Sequence, residues 1–433
     1  MISFTFPIWR CAKAELFIAA SLHEWMKKVP DPRSTRKKMY DSAEILTYII
    51  MAYASGRTSL RRAIAWAENH LTELRKYMKL ENGIASVSTI FRLFRDIDQN
   101  EFNNIMMQWI AQLLNQRKLI IAIDGKGLRG AADRIGDGRT PYILNAIDVE
   151  TKLVIAQLPI STKDNEISGI PELLGILDLR GNLITIDAIG TQWRIMDIIS
   201  GEGGFYLLTV KENQSDLKNE ISGYFRTVRK RMEQGLTDAE KEKYSIKQTA
   251  ENNRSRIEHR KMETIQANPI GGREELAFDD IRTIGLHEQT RIPIRRDENG
   301  KDITQDYESF RSEAISRAKD KFKSKVMYDD EYLCEGMISN KHMNAEEMAR
   351  IKRGHWTIEN QLHHVLDDLF REDRSSARIT KDNLALVRKI AFNLLVLASH
   401  HENSDRGPTA MMDIFADRPE LLAKYTFKGI SSF

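Results

Sequence analysis

The stretch IAIDGKGLRGAADR, Ile121 to Arg134, decides how the chain is read. Leu119 to Ile123 are apolar and mostly β-branched, the composition of a buried strand. The run stops on one carboxylate, Asp124, and opens at once into Gly125, Lys126, Gly127, Arg129 and Arg134. A second run ends the same way: NLITID, 182 to 187, brings Asp187 to a strand end followed by Ala188, Ile189 and Gly190. Neighbouring strands lie about 4.8 Å apart, so if these two are neighbours their carboxylates converge. Converging carboxylates repel unless they are protonated or neutralised by a cation. A divalent ion with a preference for hard oxygen ligands, Mg²⁺ or Mn²⁺, supplies that charge. The alternative is that each aspartate only caps its own turn.

A third carboxylate belongs to this pattern. In RGHWTIENQLHHVLDD, Glu359 sits next to Ile358 in a stripe of Met348, Ile351, His355, Ile358, Leu362, Val365 and Leu369, which recurs in steps of three and four. The spacing predicts one long helix over 348–369, opened by a capping box of Asn344 and Glu347. Glu359 then lies at the edge of the packed face, within reach of strand ends. His355, Glu359 and His363 fall four residues apart, but no HExxH zinc motif occurs, and eight residues separate the two histidines. Gly125-Lys126-Gly127 is not a phosphate loop, because no glycine stands five residues before Gly125 and no Ser or Thr follows Lys126.

Working outward, strand-like text covers 118–124, a hairpin over 142–160 turning near Glu150 and Thr151, 182–187 and 204–210. Ile167, Ile170, Leu174 and Leu177 place a helix before the fourth strand. The order β-β-β-α-β-α-β is an α/β layer pattern. Residues 215–325 break it with a charged helical segment, strand-like RSRIEHRKMETI and FDDIRTIGL, and turns at Asn268-Pro269 and Gly271-Gly272. Sheet-like text resumes at EYLCEGMIS, 331–339.

Residues from about 30 to 116 read as helical. Ser86 or Ser88 caps SVSTIFRLFRDID, which buries Ile90, Phe91, Phe94 and Ile97 and leaves Arg92 and Arg95 on the other face. With Arg57, Arg61 and Arg62 they form a locally basic helical unit, either a DNA contact or an ordinary solvated face. The 65 basic against 62 acidic residues leave a net charge of +3, so a nucleic-acid signal must come from the placement of charges. Cys11 and Cys334 make neither a disulfide framework nor a CxxC zinc spacing, which fits a reducing cytoplasm. Arg10, Lys13 and Glu15 interrupt the apolar pieces of the N-terminus, so no signal peptide and no membrane span are expected.

Five blocks in this order, IAIDGKGLRGA, QLPISTKDNEISGIPELL, TIDAIGTQ, YLLTVKENQ and RGHWTIENQLHHVLDDLFRED, resemble the H-repeat-associated, ISAs-type transposases of bacterial insertion sequences. The resemblance runs from about 30 to 400 and includes DPR at 31–33 and GIASVSTIFRLFR. It implies a DDE transposase with an RNase H-like mixed sheet as catalytic core, a β-rich insertion and an N-terminal all-α domain. The domains expected are 1–116 (helical, DNA-binding), 117–214 and 326–400 (the two parts of the core), 215–325 (insertion) and 401–433 (C-terminal tail). The implied acidic triad is Asp124, Asp187 and Glu359, which would hold two Mg²⁺ or Mn²⁺ ions. Related transposases carry a Tyr, an Arg and a Lys around the final Glu; here those places hold Lys352, His355 and Leu366, so those roles do not carry over. Lys126, Arg129, Lys211 and Asn213, which follow strand ends, together with His355, Arg92 and Arg95, are expected at DNA. The partners implied are double-stranded DNA, both the terminal inverted repeats and the target, and a second copy of the chain in the DNA complex, in the bacterial cytoplasm at the nucleoid. A catalytically inactive DNA-binding relic and a metal-dependent nuclease without strand transfer share the same residues.

Overall fold

The computed structural model describes residues 21–34, 38–235, 237–253, 255–266, 280–296, 302–303, 305–323, 332–375, 377–402 and 407–428, with 133–139 excepted. Arg134, Cys11 with the N-terminal pieces, and the Asn268-Pro269 and Gly271-Gly272 turns lie outside the described residues. The chain divides into two compact units, Met1–Asp178 with Trp356–Phe433, and Leu179–His355. Both mix helices with strands, and the second holds parallel and antiparallel pairs, so the fold is mixed α/β.

In the first unit, the apolar stripe 45–54 forms the helix Ser42–Ala54, whose first turn is capped by Asp41 accepting from the Ala43 and Glu44 amides. The helix Val87–Asp96 is capped by Ser86 and buries Ile90, Leu93 and Phe94. Ile97 is buried as expected, but Phe91 is 38% exposed. Leu93 lies three residues from Ile90 on the packed face, and Phe91, one position on, is turned about 100° away from it.

Strands β1 (Ile120–Gly127), β2 (Tyr142–Asp148) and β3 (Val154–Ile160) form an antiparallel meander. The hairpin turn is fixed by Asp148, whose Oδ2 accepts from the Thr151 amide at 2.8 Å and hydroxyl at 2.7 Å. β3 is an edge strand, and an uncovered edge exposes unpaired amides. Two buried asparagines close it. Asn393, on the long helix Lys381–His401, accepts from the Val154 N–H and donates to its carbonyl, both at 2.8 Å. Asn103, on the helix Gln99–Leu114, does the same for Gln157 at 3.2 and 3.0 Å. The long helix is buried on every side from Asn383 to Ala398 and packs on the helix Ser42–Ala54 as well as on β3. The described residues of 407–428 form the helices Gly407–Asp417 and Pro419–Phe427. The Phe427 ring stacks on Tyr77 at 4.7 Å and so ties this segment to the N-terminal helices.

In the second unit, β4 (Leu183–Ile186) runs parallel to β5 (Phe205–Val210). The helix Ser215–Gln234 follows and stops at Gly235, where φ is 93°. Next come β6 (Tyr244–Asn253), β7 (Arg256–Gln266), β8 (Thr283–Pro293), the short pair β9 (Arg295–Arg296) and β10 (Asp302–Ile303), and the helix Tyr307–Lys323. β11 (Tyr332–Ser339) joins β5 on one side and β8 on the other, giving the order β4-β5-β11-β8-β7-β6. The charged helical segment expected here, DLKNEISGYFRTVRKRMEQGLTDAEKEKYS, is therefore corrected at its end: Tyr244 and Ser245 open a strand, because YSIKQTAENN lies against β7 residue for residue. The acids of β7 and β8 are met by arginines from β7 itself and from the two helices. Glu258 takes Arg256 at 2.6 Å and also Arg260, Glu263 takes Arg229, and Glu288 takes Arg311 at 2.7 Å.

Replacing Asn393 with Ala leaves both the donor and the acceptor of Val154 buried without a partner, a loss of about 2 kcal/mol or more. The urea midpoint should fall accordingly; an unchanged midpoint would show that the edge of β3 does not depend on this side chain.

Candidate active site

In β1 the side chains alternate, and Ala122, Asp124 and Lys126 share one face. Asp124 lies directly across from Asn145 of β2. His363 meets both: its Nδ1 is 3.6 Å from Asp124 Oδ2, and its Nε2 is 3.3 Å from the Asn145 amide nitrogen, which also donates to the Ile143 carbonyl. The glycines of the opening stretch have a steric reason. A side chain on Gly125 would sit 2.1 Å from the Tyr142 ring, whose hydroxyl donates to the Gly125 carbonyl at 3.0 Å. One on Gly130 would strike the Asp373 carbonyl at 2.3 Å.

Glu359 is carried by a π-helical turn, Ile358–His363, that packs against β1. The His364 N–H bonds the Glu359 carbonyl, five residues back. This wider turn corrects the expected regular helix. Burial after Ile358 falls on Leu362, Leu366 and Phe370, and the expected Val365 and Leu369 are only half-buried. One extra residue in a turn shifts the packed face by one position, and such turns are frequent at functional sites. Glu359 itself is exposed.

Lys126, expected at a phosphate, is buried, and its charge is matched by carboxylates. Its Nζ donates to Asp367 at 2.6 Å and Asp373 at 3.3 Å, with Glu372 at 3.5 Å. Burial pushes the Glu372 carboxyl up, but Lys389, Arg388 and Lys126 outweigh that and hold it below the usual range. Burial likewise pushes the Lys389 ammonium down to about 8. Arg129 is exposed, with its Nε 3.9 Å from Asp373. Of the basic helical residues, Arg92 is exposed and reaches back to the Ser88 carbonyl, and Arg95 forms a forked pair with Asp96 at 2.6 and 2.8 Å. Arg57, Arg62, Trp66 and His70 line an open hollow of about 380 Å³.

In the second unit, Asp187 follows β4 and is half open to solvent. Lys211, just past β5, donates to Asp187 Oδ1 at 3.1 Å. Burial raises the Asp187 carboxyl, but the Lys211 ammonium outweighs it and holds the pKa below the ordinary value. Asn213 donates to the Ala188 carbonyl at 2.7 Å and Gln214 to the Thr191 carbonyl at 3.0 Å, so the loop after β4 is pinned by the loop after β5. Glu335 of β11 was not anticipated. Its Oε1 lies 3.2 Å from Lys211, its Oε2 3.0 Å from Lys352, and it faces His287 of β8. The signal for it was in the sequence: an acid inside the apolar strand EYLCEGMIS. His355 closes the helix Ala345–His355, and its Nδ1 is buried without a hydrogen-bond partner among the described residues. Burial, with Lys352 nearby, pushes its pKa down to about 4. Among the described residues, no three His, Cys, Asp or Glu groups are gathered around a single ion position, and no helix is long and apolar enough to cross a membrane.

The sequence profile described as "Transposase DDE domain" matches residues 115–395, and one described as "DDE_Tnp_1-associated" matches residues 23–110. The chain belongs to the DDE transposase domain family. Among its relatives are the protein named "H repeat-associated putative transposase YhhI" of Escherichia coli K12, 29% identical with 86% of this chain and 90% of that one covered, and "Putative transposase YncI" of Escherichia coli O157:H7, 31% identical with 87% of each covered. A solved piggyBac transposase synaptic complex with hairpin DNA covers 95% of this chain and 78% of that one at 13% identity, with a TM-score of 0.39.

His355 is held neutral in the folded chain but titrates near 6.5 once unfolded. The unfolded state therefore binds the extra proton first, and stability falls as pH drops from 6.5 toward about 4. His355→Gln should flatten this part of a pH series of denaturation midpoints; the same slope in the variant would remove His355 as its source.

Proposed function

We propose that this chain cleaves phosphodiester bonds at the ends of an insertion sequence and joins the freed 3′-OH strand to target DNA, with Asp124, Asp187 and Glu359 as the acids of an RNase H-like core. The observation that carries the reading is the placement of these acids within a family match that contains all three: Asp124 within β1, which packs against the turn that bears Glu359, and Asp187 just after β4. The donor chemistry fits hard divalent ions. All three groups offer carboxylate oxygen, and the Asp187 carboxyl is held ionised, as a ligand for Mg²⁺ or Mn²⁺ must be. When bound, two such ions promote deprotonation of the attacking oxygen and stabilise the leaving one.

The chain's own groups do the rest. Asn213 and Gln214 fix the loop that presents Asp187, and Lys211 brings a positive charge beside it. His363, steadied by Asn145, faces Asp124. Exposed Arg129, Arg92, Arg61 and Arg62 are placed to meet DNA phosphates, which set register and affinity rather than sequence preference. Water attacks the phosphodiester at the element end and frees a 3′-OH, and that hydroxyl then attacks a phosphodiester of the target. Two element ends handled together call for two copies of the chain.

Asp187→Asn, Asp124→Asn and Glu359→Gln should each lower cleavage of element-end DNA in Mg²⁺ by several orders of magnitude while DNA binding persists. Asp187→Asn should bring no gain in stability, because Lys211 already neutralises the carboxylate it removes. An Asp187→Asn chain that cuts at the wild-type rate would sink the assignment.

A further inference from the structure

Glu335 is an expensive residue where it stands. Its side chain is 3% exposed, in a strand whose next residues, Met337 and Ile338, are fully buried. A buried ion pair rarely improves on well-packed apolar groups, so pairing alone does not account for an acid at this point. Its geometry does more than pair. One oxygen faces Lys211, which arrives from the end of β5, and the other faces Lys352, which arrives from the helix Ala345–His355. Lysine is a point charge on a flexible stem that ordinarily carries its head out to water. Here Lys352 is buried and has a second anchor, donating to the Thr209 hydroxyl at 3.1 Å. Lys211 has its second anchor in Asp187. Glu335 is in turn backed by His287, its direct cross-strand partner on β8.

The charges count as follows: the two ammoniums are balanced by Glu335 and Asp187. When a cation takes up the charge of Asp187, one positive charge of the lysine pair is left unmatched. That is the charge of one phosphodiester. Resting on the active-site reading above, we propose that Glu335 is a positioning residue: it holds Lys211 and Lys352 as a fixed pair beside Asp187, where they orient a DNA phosphate. A lysine pair without the carboxylate between them repels itself, and at least one head swings away.

The test compares Glu335→Gln, Lys211→Met and the double variant, using element-end DNA. Two quantities are read: affinity in the absence of divalent metal, and the rate at which bound DNA is cleaved in Mg²⁺. Glu335→Gln removes a negative charge, so it should bind DNA at least as tightly as the wild type, yet cleave bound DNA slower by about tenfold or more, as loss of orientation predicts. Lys211→Met should weaken binding and slow cleavage, and in its background Glu335→Gln should cost less than it does alone, because part of what Glu335 does is done through Lys211. A wild-type cleavage rate in Glu335→Gln, or losses that simply multiply in the double variant, would overturn the proposal. If Glu335→Gln does not fold, Glu335→Gln combined with Lys352→Met removes an acid and a base together and keeps the charge balance; it should fold and still cleave slowly, and wild-type cleavage there would equally overturn it. Asp187→Asn in the same assay separates the two ideas. If Asp187→Asn cuts normally, the active-site reading fails; if it is inactive while Glu335→Gln is normal, only the role of Glu335 fails.

Discussion

A carboxylate drawn partly out of water must be met by positive charge or by hydrogen-bond donors, and the surroundings of both aspartates follow from that constraint. Asp187 is met by Lys211, and Lys211 in turn requires Glu335, which requires Lys352 and His287. One exposed acid thus fixes a chain of buried charges reaching across β5, β11 and β8. Asp124 is met differently. His363 faces it from the π-helical turn and is itself held by Asn145, the residue directly across the sheet. The nearest lysine in the strand, Lys126, is kept for three other carboxylates. The Asp187 arrangement supplies a formal cation and the Asp124 arrangement an imidazole, so the two acids are met by different means.

Beneath these groups, the edge of the meander is held by hydrogen bonds from two buried side chains. Among the described residues no strand pairs with the outer edge of β3, and Asn393 and Asn103 bond Val154 and Gln157 there as a neighbouring strand would. Both asparagines sit on helices that pack on β3, so hydrogen bonding and apolar burial reinforce one another. The same long helix carries Lys389 to the Gln157 side chain and Arg388 toward Glu372, linking the edge strand to the charges around Lys126.

What could be read from the sequence was what repeats or stops abruptly. The apolar runs before Asp124 and Asp187 and the run 204–210 are strands in the structure, and 142–160 is the expected hairpin of two, but β1 continues three residues past Asp124, to Gly127, because β2 pairs with it there. Of the two serines offered as a cap, Ser86 is the one whose side chain accepts from the Thr89 amide. Less was legible where tertiary partners decide. β6 is polar at almost every position and exists because β7 pairs with it. The helix Tyr307–Lys323 and the helices after 407 carry weak periodicity that packing completes. The π-helical turn broke the expected phase of Val365 and Leu369, since one extra residue in a turn leaves no mark on a spacing pattern. Within the site, Lys211 and Asn213 were legible because they follow a strand end, whereas Glu335 and His363 gain meaning only from cross-strand register and from the turn that aims them.

The central claim is that Asp124, Asp187 and Glu359 jointly bind divalent metal. Calorimetric titration of the full chain with Mn²⁺, in the presence of element-end DNA, tests it without reference to turnover. The account predicts that about two ions bind per active site in the wild type, and that changing any one of the three acids to its amide weakens or removes that binding. Three single-amide variants that each bind Mn²⁺ with the wild-type stoichiometry and affinity would contradict it.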